Sequence, residues 1–406
     1  MKILQVSKKF PIPSLDGETI AIIEMGKALI DEGCEVSLLT MNTTRHYKNF
    51  TLDQIKELHH YKEIATVVVD NDIKIINAFT NLFSDQSYHI SRFISAEFET
   101  KLIELLKANQ YDIVQLETLY LAPYVDAIKK HSEALVVMRA HNIEHEIWDR
   151  ISNQIRFLPK KWYLSYLSKK LKNFEVNKLN DYDFLVAITD RDLKKFKSLG
   201  YKNGCISTPV GFDYNQYKPD YSSYDQPLKL SFIGSLDWIP NIEGLNWFFE
   251  EIWPQMHQKF PTLEFHFTGR NAPSTLRNIN IDNVFYHEDQ ACAQKFINQF
   301  SVLIVPLLAG SGIRIKILEA MALGKVVITT SIGLEGIPAT HRENILIADN
   351  ASEFIEAIQF CQIHQKDLKA FGERAQKFIS TYFNRKKLTQ NLIKAYQTAI
   401  TDYHIH

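Results

Sequence analysis

Short apolar runs alternate along the whole chain with stretches whose apolar residues recur at helical spacing. KILQVS (2–7) is one such run; the loop KKFPIPSLDGE follows, and TIAIIEMGKALIDEG predicts an amphipathic helix that stops at Gly33. CEVSLLTMN then reads as a second strand. ATVVVD, KIINAF, YDIVQLE, the run from Ala134 (ALVVMRA) and FLVAIT continue the strand series, with a helix predicted from Ser91 to Asn109 and another over RDLKKFKSLG, ending at Gly200. LKLSFIGSLDWIPNIEGLNWFFEEIWP opens a second array. Its later strands are LEFHFTG, NVFYHED, VLIVPL and KVVITT, with helices over 291–300, IRIKILEAMAL, Phe354–Cys361, Lys366–Phe383 and Arg385 to about Asp402. Strands that alternate with helices predict an α/β fold built on parallel sheets.

With 406 residues and 45% hydrophobic composition, the chain can fill two cores of ordinary size. Its net charge of −1 gives no general reason to expect nucleic acid as a partner. Cys34, Cys205, Cys292 and Cys361 lie far apart and form no CxxC pair, which points away from zinc and towards a reducing compartment. MKILQVSKKF reads as a first strand and not as a signal peptide, and no apolar stretch approaches the roughly 20 residues that span a bilayer, so a cytoplasmic protein is expected.

The most informative stretch is 301–337, SVLIVPLLAGSGIRIKILEAMALGKVVITTSIGLEGI, which reads as strand, glycine loop, helix, strand and loop. Such a βαβ unit puts the positive end of its helix at the carboxyl edge of a sheet, where phosphates bind. Gly310 and Gly312 allow close backbone approach, Arg314 and Lys316 add positive charge, and Glu319 sits one turn into the helix. The ordered run G-x-G-x-R-x-K-x-L-E-A-M-A-x-G, followed by V-V-x-T and G-x-E-G, resembles the signature of the retaining group 1 glycosyltransferases, similar to glycosyltransferase family 4.

The resemblance implies the GT-B fold: two facing Rossmann-like domains, here 1–207 and 208–384, with a terminal helix (385–406) returning to the first. It implies transfer of a sugar, with retention, from a nucleotide diphosphate donor held by the second domain to a glycan or lipid-linked acceptor on the first. Cell-envelope polysaccharide synthesis fits the family's habit. Glu319 would hold the ribose hydroxyls; Gly17, Gly234, Gly312, Ile313 and Glu335 would join it in donor binding, and His141, at the end of a strand, would contact the donor sugar. The position eight residues before Glu319, a glutamate in much of the family, is Ser311. Where many relatives carry an arginine and a lysine after the strand of LKLSFIG, this chain has Gly234-Ser235 and Pro240-Asn241. Arg314 and Lys316 are therefore the expected partners of the diphosphate and, with His141, the expected catalytic groups. No cofactor is implied beyond the donor, and no metal.

Alternatives stand beside each of these readings. Lys316 and Glu319 are spaced for a helix salt bridge; Gly17 could be a turn glycine, and His141 a loop histidine without a ligand. His145 is expected on a helix surface. Asp70-Asn71-Asp72 fits a D-x-D metal pattern, which would make the chain a metal-dependent transferase, and Ser311 allows a non-catalytic nucleotide-sugar-binding partner of another transferase. RFLPKKWYLSYLSKKLK (156–172) mixes basic and aromatic residues, and reads either as a helix on an anionic membrane or as one packing its aromatic face on the core.

Overall fold

The computed structural model describes residues 1–406 apart from 13–16, 45–57, 73–80, 82–83, 85, 156, 210, 212, 214–215, 289, 291, 311–312 and 406. The strand expected over KIINAF, and Ser311 and Gly312, lie outside the described residues. Two compact units divide the chain, Met1–Gly211 with Arg385–His406, and Phe212–Asn384.

Among the described residues the first unit holds seven parallel strands: β1 Lys2–Ser7, β2 Glu35–Thr43, β3 Ile64–Val69, β4 Ile113–Leu116, β5 Leu135–Ala140, β6 Phe184–Ala187 and β7 Gly204–Ser207. They lie in the order β3-β2-β1-β4-β5-β6-β7, with Val6 of β1 opposite Leu39 on one side and Leu116 on the other. Helices cover parallel sheets on both faces, which is why these strands read as almost unbroken apolar runs. Gln5, Gln115 and Arg139 interrupt the runs and are nevertheless fully buried. The helix expected from Ser91 begins later, as Ala96–Ala108, because the Ser95 side chain accepts the Phe98 N–H and caps it there. Helix Arg385–Ile405 belongs to this unit; its Leu392 and Tyr396 are fully buried, and Arg385 pairs with Glu24 at 3.0 Å and Asp31 at 2.8 Å.

The described residues of the second unit form six parallel strands, β8 Lys229–Ile233, β9 Glu264–Thr268, β10 Val284–His287, β11 Val302–Val305, β12 Val326–Thr329 and β13 Leu346–Ile347, ordered β10-β9-β8-β11-β12-β13. Its core is aromatic, with Phe248 and Phe265 rings 4.7 Å apart beside the buried Trp253. In each sheet the chain builds outwards on one side and then jumps back, so strand order reverses between β1 and β4 and again between β8 and β11. Crevices at the carboxyl ends of such strand pairs are where open α/β sheets bind ligands.

Candidate active site

At the second unit's switch point β8 runs into Gly234, and Lys316, the second residue of helix Ile315–Ala322, reaches the same place. Its Nζ donates to Asn241 Oδ1 at 2.9 Å and lies 4.4 Å from the centre of the Phe232 ring. Asn241 is held in turn by its own amide, which donates to the Ser235 carbonyl at 2.8 Å. A Cβ at position 234 would stand 2.5 Å from Lys316 Nζ and 2.8 Å from Asn241 Nδ2, so only glycine lets the ammonium lie against the backbone here.

Arg314 directly precedes the helix and is 5% exposed. Gly310 (φ 130°) lies on its guanidinium: a Cβ there would be 2.9 Å from Arg314 Nη2 and 3.2 Å from the Trp238 ring. Ile313 is half-buried and packs against the core cluster that holds Ile317 and Val305. One turn along, Glu319 accepts a hydrogen bond from Tyr217 at 3.1 Å. Lys316 turns to Asn241 and Glu319 to Tyr217, so the salt bridge their spacing allows is not made. Glu335 stands half-buried on the loop after β12, a tight turn in which Thr330 Oγ1 accepts the Gly333 N–H at 2.9 Å.

Burial pushes the Lys316 ammonium down from its usual 10.5 to about 7; the Arg314 charge adds to this and Glu319 opposes it. Burial likewise raises Glu319, against the hydrogen bond from Tyr217 and the charge of Lys316. Two cations thus gather at a helix N-terminus, one of them, Lys316, with its charge disfavoured by burial, and a phosphate there would favour the charged form.

The first unit's switch point holds a buried polar network. Glu117, just past β4, accepts from Gln5 and Gln115 (2.6 Å each) on Oε1, and from Arg139 (2.8 Å) on Oε2. His141 Nε2 lies 2.9 Å from the same Oε2. Tyr61 and Tyr396 close the network by donating to Gln5 at 2.9 Å and to Gln115 at 2.7 Å. Burial alone would raise the Glu117 carboxyl, yet Arg139, His141 and Gln5 outweigh it and hold the group at about 2. An ionised carboxylate only accepts, so Nε2 carries the imidazole proton and Nδ1 is left as an acceptor. Burial lowers His141 and keeps it neutral.

Beside this network Tyr120 donates to Glu144 at 3.0 Å, and Lys8 lies 4.1 Å from the Tyr120 ring centre. Burial raises the Glu144 carboxyl to about 7; Lys8 and Tyr120 work against the rise, Glu175 and Glu18 with it.

Residues 227–362 match the profile of the family described as "Glycosyl transferases group 1". They form a group 1 glycosyltransferase domain. Over nearly its whole length the chain is also similar to an uncharacterized 44.6 kDa protein in the cps region of Klebsiella pneumoniae (23% identity, 97% of this chain and 99% of that one). An uncharacterized glycosyltransferase of Methanocaldococcus jannaschii is 21% identical over 96% of each chain. Among solved structures, Anabaena HepE in complex with UDP-glucose superposes with a TM-score of 0.66 at 16% identity, covering 98% of this chain and 100% of that one. The two Rossmann-like parallel sheets are those of the GT-B fold.

Within the group 1 glycosyltransferase domain the structure thus gathers Gly234, Asn241, Arg314 and Lys316, and adds Phe232 and, from just before that domain, Tyr217, neither of which the sequence reading singled out. Gly17 opens helix Gly17–Asp31 with nothing within 4 Å of a would-be Cβ, so packing does not demand glycine there. Asp70 and Asp72 are exposed, and Asp70 is used locally, accepting the Asp72 N–H at 3.1 Å. Among the described residues no three His, Cys, Asp or Glu side chains are grouped to hold a metal. His145 is not a surface residue. It is 3% exposed, and its Nδ1 lies 2.6 Å from Glu175, which also accepts the N–H groups of Glu144 and His145. That carboxylate caps helix Glu144–Gln154 and draws the imidazole inwards.

Proposed function

We propose that this chain transfers a sugar from a nucleoside diphosphate sugar to a hydroxyl of a glycan or lipid-linked acceptor, with retention and without a metal ion. The observation that carries the reading is the half-neutralised Lys316, pinned by Asn241 at the helix N-terminus beside Arg314, inside the group 1 glycosyltransferase domain. UDP-glucose in the Anabaena neighbour supports a donor of that class. As the bond from the anomeric carbon to the diphosphate breaks, its electron pair goes to the phosphate oxygen, and Arg314 and Lys316 stabilise the charge that develops there. The acceptor oxygen bonds to the same face of the sugar and gives its proton to the departing phosphate. Glu319 suits the ribose hydroxyls; Ile313 and Glu335 line the donor side, where the motif also assigns Gly312, and His141 Nδ1 accepts from a sugar hydroxyl.

A thermal-shift screen of nucleoside diphosphate sugars tests the donor, because a ligand at 100 times its dissociation constant stabilises by about 2.7 kcal/mol. Product formation in chelator, with the anomer read by NMR, tests the rest. An inverted product, or turnover only with added divalent metal, refutes the mechanism; no shift with any donor refutes the reading.

A further inference from the structure

Helix Leu158–Lys178 divides along its length. Its distal part is core: Leu167, Leu171 and Glu175 are 3%, 0% and 2% exposed. Its first turn is not. Leu158 is 75% exposed, Trp162 67%, and Phe157, directly before the helix, 67%, while Ile151 on the preceding helix is 38% exposed. At 100° per residue Leu158, Trp162, Ser165, Lys169 and Lys172 fall on one stripe, opposite the buried face. Trp162 stacks on Tyr166, with ring centres 5.9 Å apart and planes 6° from parallel, so the indole is held outwards on a rigid support.

We infer that this tip is a docking element for an anionic lipid bilayer, an interaction that stands apart from the transfer chemistry. Charge selects the occupant. From Arg150 to Phe174 the sequence has no acidic residue, and Lys160, Lys169 and Lys172 are exposed there. The flanking acids are already engaged: Asp149 accepts from Ser168 at 2.6 Å, Glu146 from Arg191 at 2.6 Å, and Glu175 caps the preceding helix. Large apolar side chains at the very end, with lysines behind them, suit insertion by the tip. A helix rises 1.5 Å per residue, so Lys169 and Lys172 stand about 10 and 15 Å along the axis from Trp162, at headgroup level once the aromatic tip has entered by about 5–10 Å. Tryptophan favours that boundary layer. Lys170 is not part of the surface. Its ammonium donates to the carbonyls of Asn81 and Ser84 and lies 4.7 Å from the Tyr166 ring centre, so it ties the helix to its neighbours.

The full chain is sedimented with vesicles of phosphatidylcholine, with or without phosphatidylglycerol, and its tryptophan fluorescence is followed in vesicles carrying brominated acyl chains. Binding only to the anionic vesicles, release by salt and bromine quenching are expected. The double variant Lys169→Gln/Lys172→Gln should bind roughly 30-fold more weakly, at about fivefold per lysine. Trp162→Phe should remove the quenching while sedimentation largely persists, and Phe157→Ser/Leu158→Ser/Trp162→Ser should lose binding with its thermal unfolding unchanged. Equal binding to neutral vesicles overturns the inference. So does sedimentation without quenching, or capture of an acidic protein by the tip with no bilayer binding.

Discussion

Lys316 should make nucleoside diphosphate binding weaken as pH rises above neutrality. In the free protein its ammonium titrates at about 7 because burial and Arg314 disfavour the charge. A bound diphosphate supplies the missing counter-charge and moves the titration upwards, so binding above about pH 7 must take a proton from solution. The dissociation constant then rises about tenfold per pH unit, and about 50-fold between pH 7 and 9, or about 2.3 kcal/mol. The terminal phosphate loses its last proton with a pKa of about 6, which near pH 7 works in the opposite direction and is complete by about pH 8, so the slope from pH 8 to 9 belongs to the protein. Calorimetric titration with UDP, in buffers of different ionisation heat, reads both quantities; uptake should be about half a proton at pH 7 and about 0.9 at pH 8. Lys316→Arg, which keeps its charge throughout, should flatten the slope, and Lys316→Met should bind weakly with no slope. A pH-independent wild-type affinity, or a slope that survives in Lys316→Arg, would refute the assignment.

The other expectations concern single groups. Glu144 titrates at about 7 when folded against a usual 4.5, so its contribution to stability is present below about pH 4.5 and lost as pH rises through 7. Glu144→Gln should therefore be more stable than wild type near pH 8, by up to about 3 kcal/mol, and match it near pH 4; equal gains at both values would contradict the burial argument. Glu117→Ala leaves the buried Arg139 unpaired and should cost about 3–5 kcal/mol in denaturant unfolding of the first unit, and a loss under about 1 kcal/mol would show the network to be slack. Gly269→Ala sets a methyl group against the Gly234 carbonyl and 2.8 Å from Leu236, so UDP affinity should drop about tenfold as the β8 loop shifts. An unchanged affinity would mean that the loop does not touch the ligand. Glu319→Gln should weaken free nucleoside and nucleoside diphosphate alike, by about 1–2 kcal/mol, and a loss confined to the diphosphate would place the carboxylate elsewhere.

The βαβ unit at 301–329 was legible because its signals are local: an apolar run, glycines, helical periodicity and a β-branched run within forty residues or so of each other. The electrostatics of Lys316 were not, since its partners Asn241 and Phe232 lie far back in the chain and arrive only through the β8–β11 pairing. Glu117 left a trace that could have been read. In YDIVQLE, Gln115 and Glu117 stand two apart, hence on one face, in a strand otherwise buried; Gln5 in KILQVS is the same anomaly, and the strand order brings the three together. His145 misled because helical spacing speaks of its own helix and not of Glu175 on the next one. The core-packing reading of 156–172 holds for the later turns, where Leu167 and Leu171 are buried, and not for the exposed start at Leu158 and Trp162, since periodicity carries no information on where the neighbouring structure ends.

The first unit is interrupted by the second, and that imposes a wait during synthesis. Tyr396, whose hydroxyl satisfies Gln115 in the network around Glu117, is translated only after the 173 residues of 212–384. At about 5–20 residues per second the earlier part of the unit spends roughly 9–35 s beside the ribosome without its last helix, and Gln115 without a phenol to bond. The second unit, contiguous in sequence, can close in that interval. The first unit is therefore completed after the second has been made, and only a chain translated through helix Arg385–Ile405 can close the network that orients His141.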